Sequence, residues 1–319
     1  MPKTMLTHVA GVDVHKEVLV ITVLVGDLDK EPKKEQFTCS TFSEDLLKAG
    51  KKLLLMGVKH VVMESTGVYW KPVYNVWHPL GIIVTVGNAS HVKNVPGRKT
   101  DMNDSEWLAD LHRCGMVRPS FIPDTEYQQL RLLNRHRTNL ADDISRVKNR
   151  VDKVLEDGNI KLSAVVSNLF CPAGMAVLDS ISQGVVDTDS LMKRVYEVGI
   201  DRLKRKEEMR KALTNCLRED HCFLVKQLMQ QYTDLNLRLA ESDRELDRRL
   251  ERYSDLIERL DEMPGVDKIT ARGIIAEAST QMEAFKDDRH FAAWAGVAPG
   301  NHESAKKKKE QKPGMGILP

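Results

Sequence analysis

Cysteine is scarce in this chain. Five residues, at 39, 114, 171, 216 and 222, are spread over 319 positions, an odd number without zinc-site spacing or the density of a disulfide scaffold. They read as reduced, structural thiols. His221 beside Cys222, with Cys216 upstream, lacks the second His/Cys pair that four-coordinate zinc needs. Neither charge sign dominates, with 48 Lys+Arg against 46 Asp+Glu, so any contact with phosphates must come from locally segregated charge and not from a basic total. The apolar runs at Val18 to Val25 and Leu53 to Val58 fall short of the roughly 20 residues that span a bilayer. MPKTMLTH at the start has neither an apolar segment nor a small-residue cleavage site, so no membrane partner and a cytoplasmic location are expected.

A 41% hydrophobic content is ample for a folded core, and the length implies two or three units. HVAGVDVHKEVLVITVLVG carries two β-branched runs with a short polar break, the pattern of a strand hairpin, and Glu35 to Ser40 supplies a third strand. Thr41 to Glu44 have capping-box form and predict a helix to about Met56. KHVVMES reads as a strand ending near Glu64, residues 68–79 as a helix, GIIVTVG as a fifth strand, and Asp101 to Cys114 as a further helix. This order predicts a mixed sheet flanked by helices over residues 1–122.

From Asp124 the strand signal nearly vanishes, and Leu130, Leu133, Leu140, Ile144, Val147, Val151 and Val154 recur at helical spacing. Farther on, Leu228, Tyr232, Leu235, Leu239, Leu246, Leu250, Tyr253, Ile257 and Leu260 follow a near-heptad pattern. Such a seam needs a partner, either a second copy of the chain or the helix at 124–156. The expected helical and coiled-coil region spans residues 123–260. After Met263 a Pro-Gly turn and two short Ala-rich helices form a small, mostly α unit over 261–319, with a Lys-rich, nonperiodic end.

The acids of the first unit point to chemistry. Asp13 lies inside an apolar strand and Glu64 near the end of another, while Asp101 and Asp104 are three apart on a predicted helix and share a face. Should the strands neighbour each other under that helix, four carboxylates converge. Divalent cations would neutralise them, and hard oxygen ligands select Mg²⁺ or Mn²⁺, the setting for metal-assisted phosphoryl chemistry. Singly, each acid is equally well explained as a cap or a strand-end residue.

The stretches GVDVHK, VVMESTGVY and VKNVPGRKTDMNDSEWLADL, with LDEMPGVDKITARGIIAE and FAAWAGVAPGNHES farther on, resemble the DEDD transposases of the insertion-sequence 110 type. The resemblance implies a ribonuclease H-like, RuvC-like first domain with Asp13, Glu64, Asp101 and Asp104 as a metal-binding tetrad. It also implies Ser304 as a nucleophile that becomes joined to DNA, guidance by a structured RNA, and a dimer or tetramer that recombines DNA. Around Ser304 the chain departs from the family: ESA runs into Lys306 to Lys309, the family's Lys-Gly-Asn…Leu-Arg continuation is missing, and the chain reads as truncated there. Two other functions stay open, a RuvC-like nuclease that uses metal-activated water and an inactive, truncated relic that binds nucleic acid.

MPGVDKITARGII resembles a helix-hairpin-helix, with Gly265 in place and Asp267 where the second glycine belongs. Arg131, Arg135, His136, Arg137, Arg146, Lys148, Arg150 and Lys153 make the long helix a candidate nucleic-acid surface, interspersed with Asp142, Asp143 and Asp152. Arg98 and Lys99 precede the last two acids of the set.

Overall fold

The computed structural model describes residues 6–27, 29–65, 67–87, 103–198 and 206–297, together with the backbone at 303–304 and 307–308. The chain forms two compact units, Met1–Ile122 and Pro123–Pro319.

The first unit is built on a five-stranded sheet. Its strands are β1 (His8–Val14), β2 (Val18–Val25), β3 (Lys33–Ser40), β4 (His60–Glu64) and β5 (Ile83–Gly87), in the order β3-β2-β1-β4-β5. β1, β2 and β3 pair antiparallel, as a hairpin with a two-sided meander, and β4 and β5 add in parallel to β1. That order and strand sense are the ribonuclease H-like arrangement expected of this α/β domain. The β-branched residues explain it: β1 and β2 are buried on both faces, which continuous Val/Ile runs tolerate and alternating strands do not. One face carries Ala10, Val12, Leu19, Ile21, Val61 and Met63 against α1 (Ser43–Leu55) and α2 (Trp70–Trp77). The other face, with Val9, Leu24 and Val62, meets α3 (Asp104–Arg113) through Trp107, Leu108, Ala109 and Leu111.

Two helix starts differ from expectation. α1 begins at Ser43 behind Phe42, which makes no side-chain cap; instead the Phe42 N–H donates to Ser40 Oγ (3.2 Å), and Ser40 donates to Asp45 Oδ2 (2.6 Å). α3 begins at Asp104 and not at Asp101, because Asn103 is the N-cap and accepts from the Glu106 N–H at 3.0 Å.

At the far end of α3 lies a histidine pair. His112 is buried and its ring stands 6.4 Å from that of His60, with Nε2 meeting no hydrogen-bond partner among the described residues. Burial, then the neighbouring His60, push the His112 pKa down to about 4. The folded state thus favours neutral His112, and its contribution is fully present above the unfolded value near 6.5 and lost as pH falls from there toward 4. The loss approaches about 3 kcal/mol at the acid end. In urea unfolding between pH 7 and 4, His112→Phe should lose less stability than the natural chain; parallel curves would show that this ring does not drive the acid limb.

The second unit is helical: α4 (Thr125–Asp157), α5 (Pro172–Ser182), α6 (Thr188–Glu197), α7 (Lys206–Leu213), α8 (Glu219–Leu250), α9 (Ser254–Asp261), α10 (Lys268–Ala278) and α11 (Asp288–Trp294). β6 (Glu303–Ser304) and β7 (Lys307–Lys308) pair as a two-residue antiparallel ladder. α4 and α8 lie against each other as an antiparallel pair. Tyr127 joins Tyr253 near one end (2.8 Å between hydroxyls), Arg137 pairs with Asp243 midway (2.8 Å), and Asp157 accepts from His221 Nε2 at the other (2.8 Å). The near-heptad seam is consumed inside the chain: Leu228, Tyr232, Leu235 and Leu239 pack with α4 and α5, and Leu250 and Ile257 with Tyr127, Leu130 and α10. Of the two partners the heptad pattern allowed, this seam has the intramolecular one. A heptad fixes which residues are buried and leaves open what buries them.

The same packing reassigns several polar residues. Buried His221 accepts from the Arg218 N–H through Nδ1 (3.1 Å), so it ties the start of α8 to the end of α4. Arg131 and Arg135 close on Glu277 of α10 and Arg137 on Asp243, so the largely covered Arg131 and Arg137 are engaged inside the unit, while Arg135 and Arg146, the latter paired with Asp143 (2.7 Å), stay on the helix surface. Asp267 is the N-cap of α10, accepting from the Thr270 N–H at 2.7 Å, while Gly265 turns the chain at φ +87°. The acid thus has a structural role of its own, closing the first turn of α10. Among the described residues no helix is long and apolar enough to cross a membrane.

Candidate active site

The alternation of β1 and β4 settles which faces their acids share. Val9 and Gly11 face α3, and so does Asp13, two residues on; Val62 does the same on β4, and Glu64 follows it. β1 and β4 run parallel with Val12 opposite Met63, and the next step of that register sets Asp13 level with Glu64. Both acids stand at the carboxyl ends of their strands.

α3 brings the third acid to the same end. It runs antiparallel to β1, with Ser105 and Ala109 over Gly11, Ala109 beside Val9, and Arg113 O accepting from the Leu6 N–H (3.4 Å). Asp104, its first residue, therefore lies toward Asp13 and Glu64. The approach is close because residue 11 has no side chain. A Cβ at Gly11 would come within 2.0 Å of Ser105 O and 2.5 Å of Ala109 N, so the helix backbone rests directly on the strand. Arg113, buried under the far end, donates through Nη2 to Gly26 O (3.1 Å) and Asp27 O (2.6 Å).

His15 joins this end from the turn after β1, its Nε2 3.1 Å from Asp13 Oδ2. It was not among the expected site residues, although its place two positions after Asp13 in GVDVHK was the available signal. Asp101 lies outside the described residues. Ser304 stands in β6, its backbone paired with Lys307, in the second unit. Among the described residues no three His, Cys, Asp or Glu side chains form a group that holds a metal ion. The donor types nevertheless fit a hard cation: Asp13, Glu64 and Asp104 offer carboxylate oxygens, with no thiolate beside them in sequence.

A family model for DEDD-type IS110 transposases matches residues 10–160, and another, for transposases of the IS116/IS110/IS902 family, matches residues 257–315. The chain belongs to the IS110-type transposases. Its first match spans Asp13, Glu64, Asp101 and Asp104, and its second spans Ser304. Among solved structures it is similar to T. thermophilus RuvC in complex with Holliday junction substrate, at 14% identity and a TM-score of 0.28, over 36% of this chain and 100% of that one. None of the curated proteins compared with it matches.

Proposed function

We propose that this transposase cuts and rejoins the DNA of its insertion sequence, using Asp13, Glu64, Asp101 and Asp104 to hold Mg²⁺ or Mn²⁺ and Ser304 as the nucleophile. The observation that carries the reading is the common face and common end of Asp13, Glu64 and Asp104, two on neighbouring parallel strands and one at the start of the helix over them. Three carboxylates at one sheet end repel one another, and a divalent cation is what offsets that repulsion. Bound there, the cation polarises a phosphodiester and stabilises the charge that develops on it.

The chain's own residues do the rest. Asp13 and Glu64, on the rigid ends of β1 and β4, hold the scissile phosphate's counter-charges in place, and Asp104 completes the set from α3. Ser304 Oγ attacks phosphorus; the Oγ–P bond forms as the bond to a sugar oxygen breaks. The serine proton passes to a base or to solvent, and the displaced sugar oxygen takes up a proton. His302 and Glu303, adjacent in sequence, are the candidate bases. The DNA is thereby held as a phosphoserine ester whose reversal onto another strand exchanges partners. Lys306 to Lys309 supply cations for the backbone, contacts that weaken as salt rises. A structured RNA as guide and a dimer or tetramer bridging two DNA segments complete the proposal.

Trapping decides it. Full-length protein incubated with element-end DNA, its transcribed RNA and Mg²⁺, then quenched in denaturant, should yield a covalent protein–DNA complex that Asp13→Asn and Ser304→Ala each abolish. Cleavage without an adduct supports a metal-activated water nuclease instead. An adduct that persists in Ser304→Ala removes this serine.

A further inference from the structure

The sheet under α3 carries a polar row that an apolar strand has no folding reason to contain. Thr22 is the single hydroxyl in VLVITVLV and is fully buried. It stands opposite Gly11 on one side and opposite Gln36 on the other, so Gly11, Thr22 and Gln36 form one line across β1, β2 and β3 on the face that α3 covers. Directly above the line is Ser105, also buried, whose Oγ lies 2.8 Å from Thr22 Oγ1. Gln36 Nε2 donates to Thr22 Oγ1 (2.9 Å) and reaches Ser105 Oγ (3.4 Å). Ser105 in turn donates to Asn103 Oδ1 (3.2 Å), the same oxygen that caps the helix by accepting from the Glu106 N–H. Lys34 of β3 adds an ion pair to Glu106.

We infer that this chain of hydroxyls and amides, from Gln36 through Thr22 and Ser105 to Asn103, is a positioning device that sets Asp104 against Asp13. The inference rests on the metal-site reading above and deepens it. Gly11 lets the helix backbone touch the sheet, but a smooth contact permits sliding along the strand. A directional hydrogen bond between two buried hydroxyls does not, because displacing the helix by a fraction of a turn strands both in an apolar interior. Asp104 is the residue between Asn103 and Ser105, the two that the network grips on α3, so its backbone is held on both sides. Neither Thr22 nor Gln36 touches the acids; they act through Ser105 and Asn103.

Thr22→Val keeps the shape and deletes the hydroxyl, Thr22→Ser keeps the hydroxyl, and Gln36→Leu removes a donor at the exposed end, where folding is least at risk. Each full-length variant is titrated with Mn²⁺ alone, followed by the electron paramagnetic resonance of the free ion, and amide hydrogen exchange is read at residues 104–107. Loss of a group that orients ligands typically weakens metal binding about 10-fold or more. Thr22→Val should therefore bind Mn²⁺ about 10-fold more weakly with faster exchange at the start of α3, and Thr22→Ser should restore both. Gln36→Leu should fall between, and it decides the matter if Thr22→Val does not fold. Asp13→Asn, as control, should lose binding. Natural affinity and exchange in Thr22→Val, or in Gln36→Leu should the first not fold, overturn the positioning role while Asp13→Asn still loses the ion. Unchanged Mn²⁺ binding in Asp13→Asn overturns the metal-site reading and this inference with it.

Discussion

Gly11→Ala should unseat α3 and remove activity, although it adds one methyl group. The glycine is not required for its backbone angles; it is required because Ser105 O and Ala109 N occupy the space a Cβ needs, at 2.0 and 2.5 Å. Both neighbours are backbone atoms, so no rotamer change relieves the overlap and the helix must lift or slide. Overpacking of this kind costs about 3 kcal/mol or more. The movement also breaks the Thr22–Ser105 contact and carries Asp104 away from Asp13. Thermal unfolding should show the first unit weakened and Mn²⁺ binding lost in parallel. A natural-like melting temperature with intact binding would mean that the helix does not lie where Gly11 admits it.

Glu277→Ala should weaken the second unit by about 3–5 kcal/mol, the usual cost of breaking a buried ion pair by removing one partner. Glu277 is 1% exposed; Arg135 grips it with two hydrogen bonds of 2.8 Å, and Arg131 Nε lies 3.0 Å away while its Nη2 donates to the Glu277 carbonyl. That hydrogen bonding raises the Arg135 pKa, whereas burial lowers that of Arg131, so the carboxylate is what keeps two neighbouring guanidiniums compatible. Without it, like charges face each other where α10 packs on α4. Glu277→Gln, which retains the hydrogen-bonding shape but not the charge, should cost less. The measurement is urea unfolding of both variants, and equal stability of Glu277→Ala and the natural chain would show the arginines relaxing freely into water.

The strands of the first unit were legible because β-branched runs such as HVAGVDV and VLVITVLV cannot bury their apolar atoms on a helix as well as in a sheet. Asp13 and Glu64 were singled out there because an acid inside or ending such a run stands out against its neighbours, but that their strands lie side by side came only with the sheet order. The start of α3 was misplaced by three residues, yet Asn103 and Glu106 carry the N-x-x-E spacing of a capped helix. Gly11 and Thr22 left signals too, a glycine and a lone hydroxyl inside apolar strands, each marking a close approach from the covering layer. What the α8 seam packs against was not legible, because periodicity describes one helix at a time. Nor was the fate of Arg131, Arg135 and Arg137: a cation on a helix face reads the same whether it meets phosphate or a carboxylate over a hundred residues away in the chain.

The direct test of the account is the position of the metal. Crystals of the full-length protein soaked in Mn²⁺ should give an anomalous peak at the carboxyl ends of β1 and β4, with oxygens of Asp13, Glu64 and Asp104 as ligands, and the peak should vanish in Asp13→Asn. A peak that forms elsewhere, or one that survives Asp13→Asn, would contradict it.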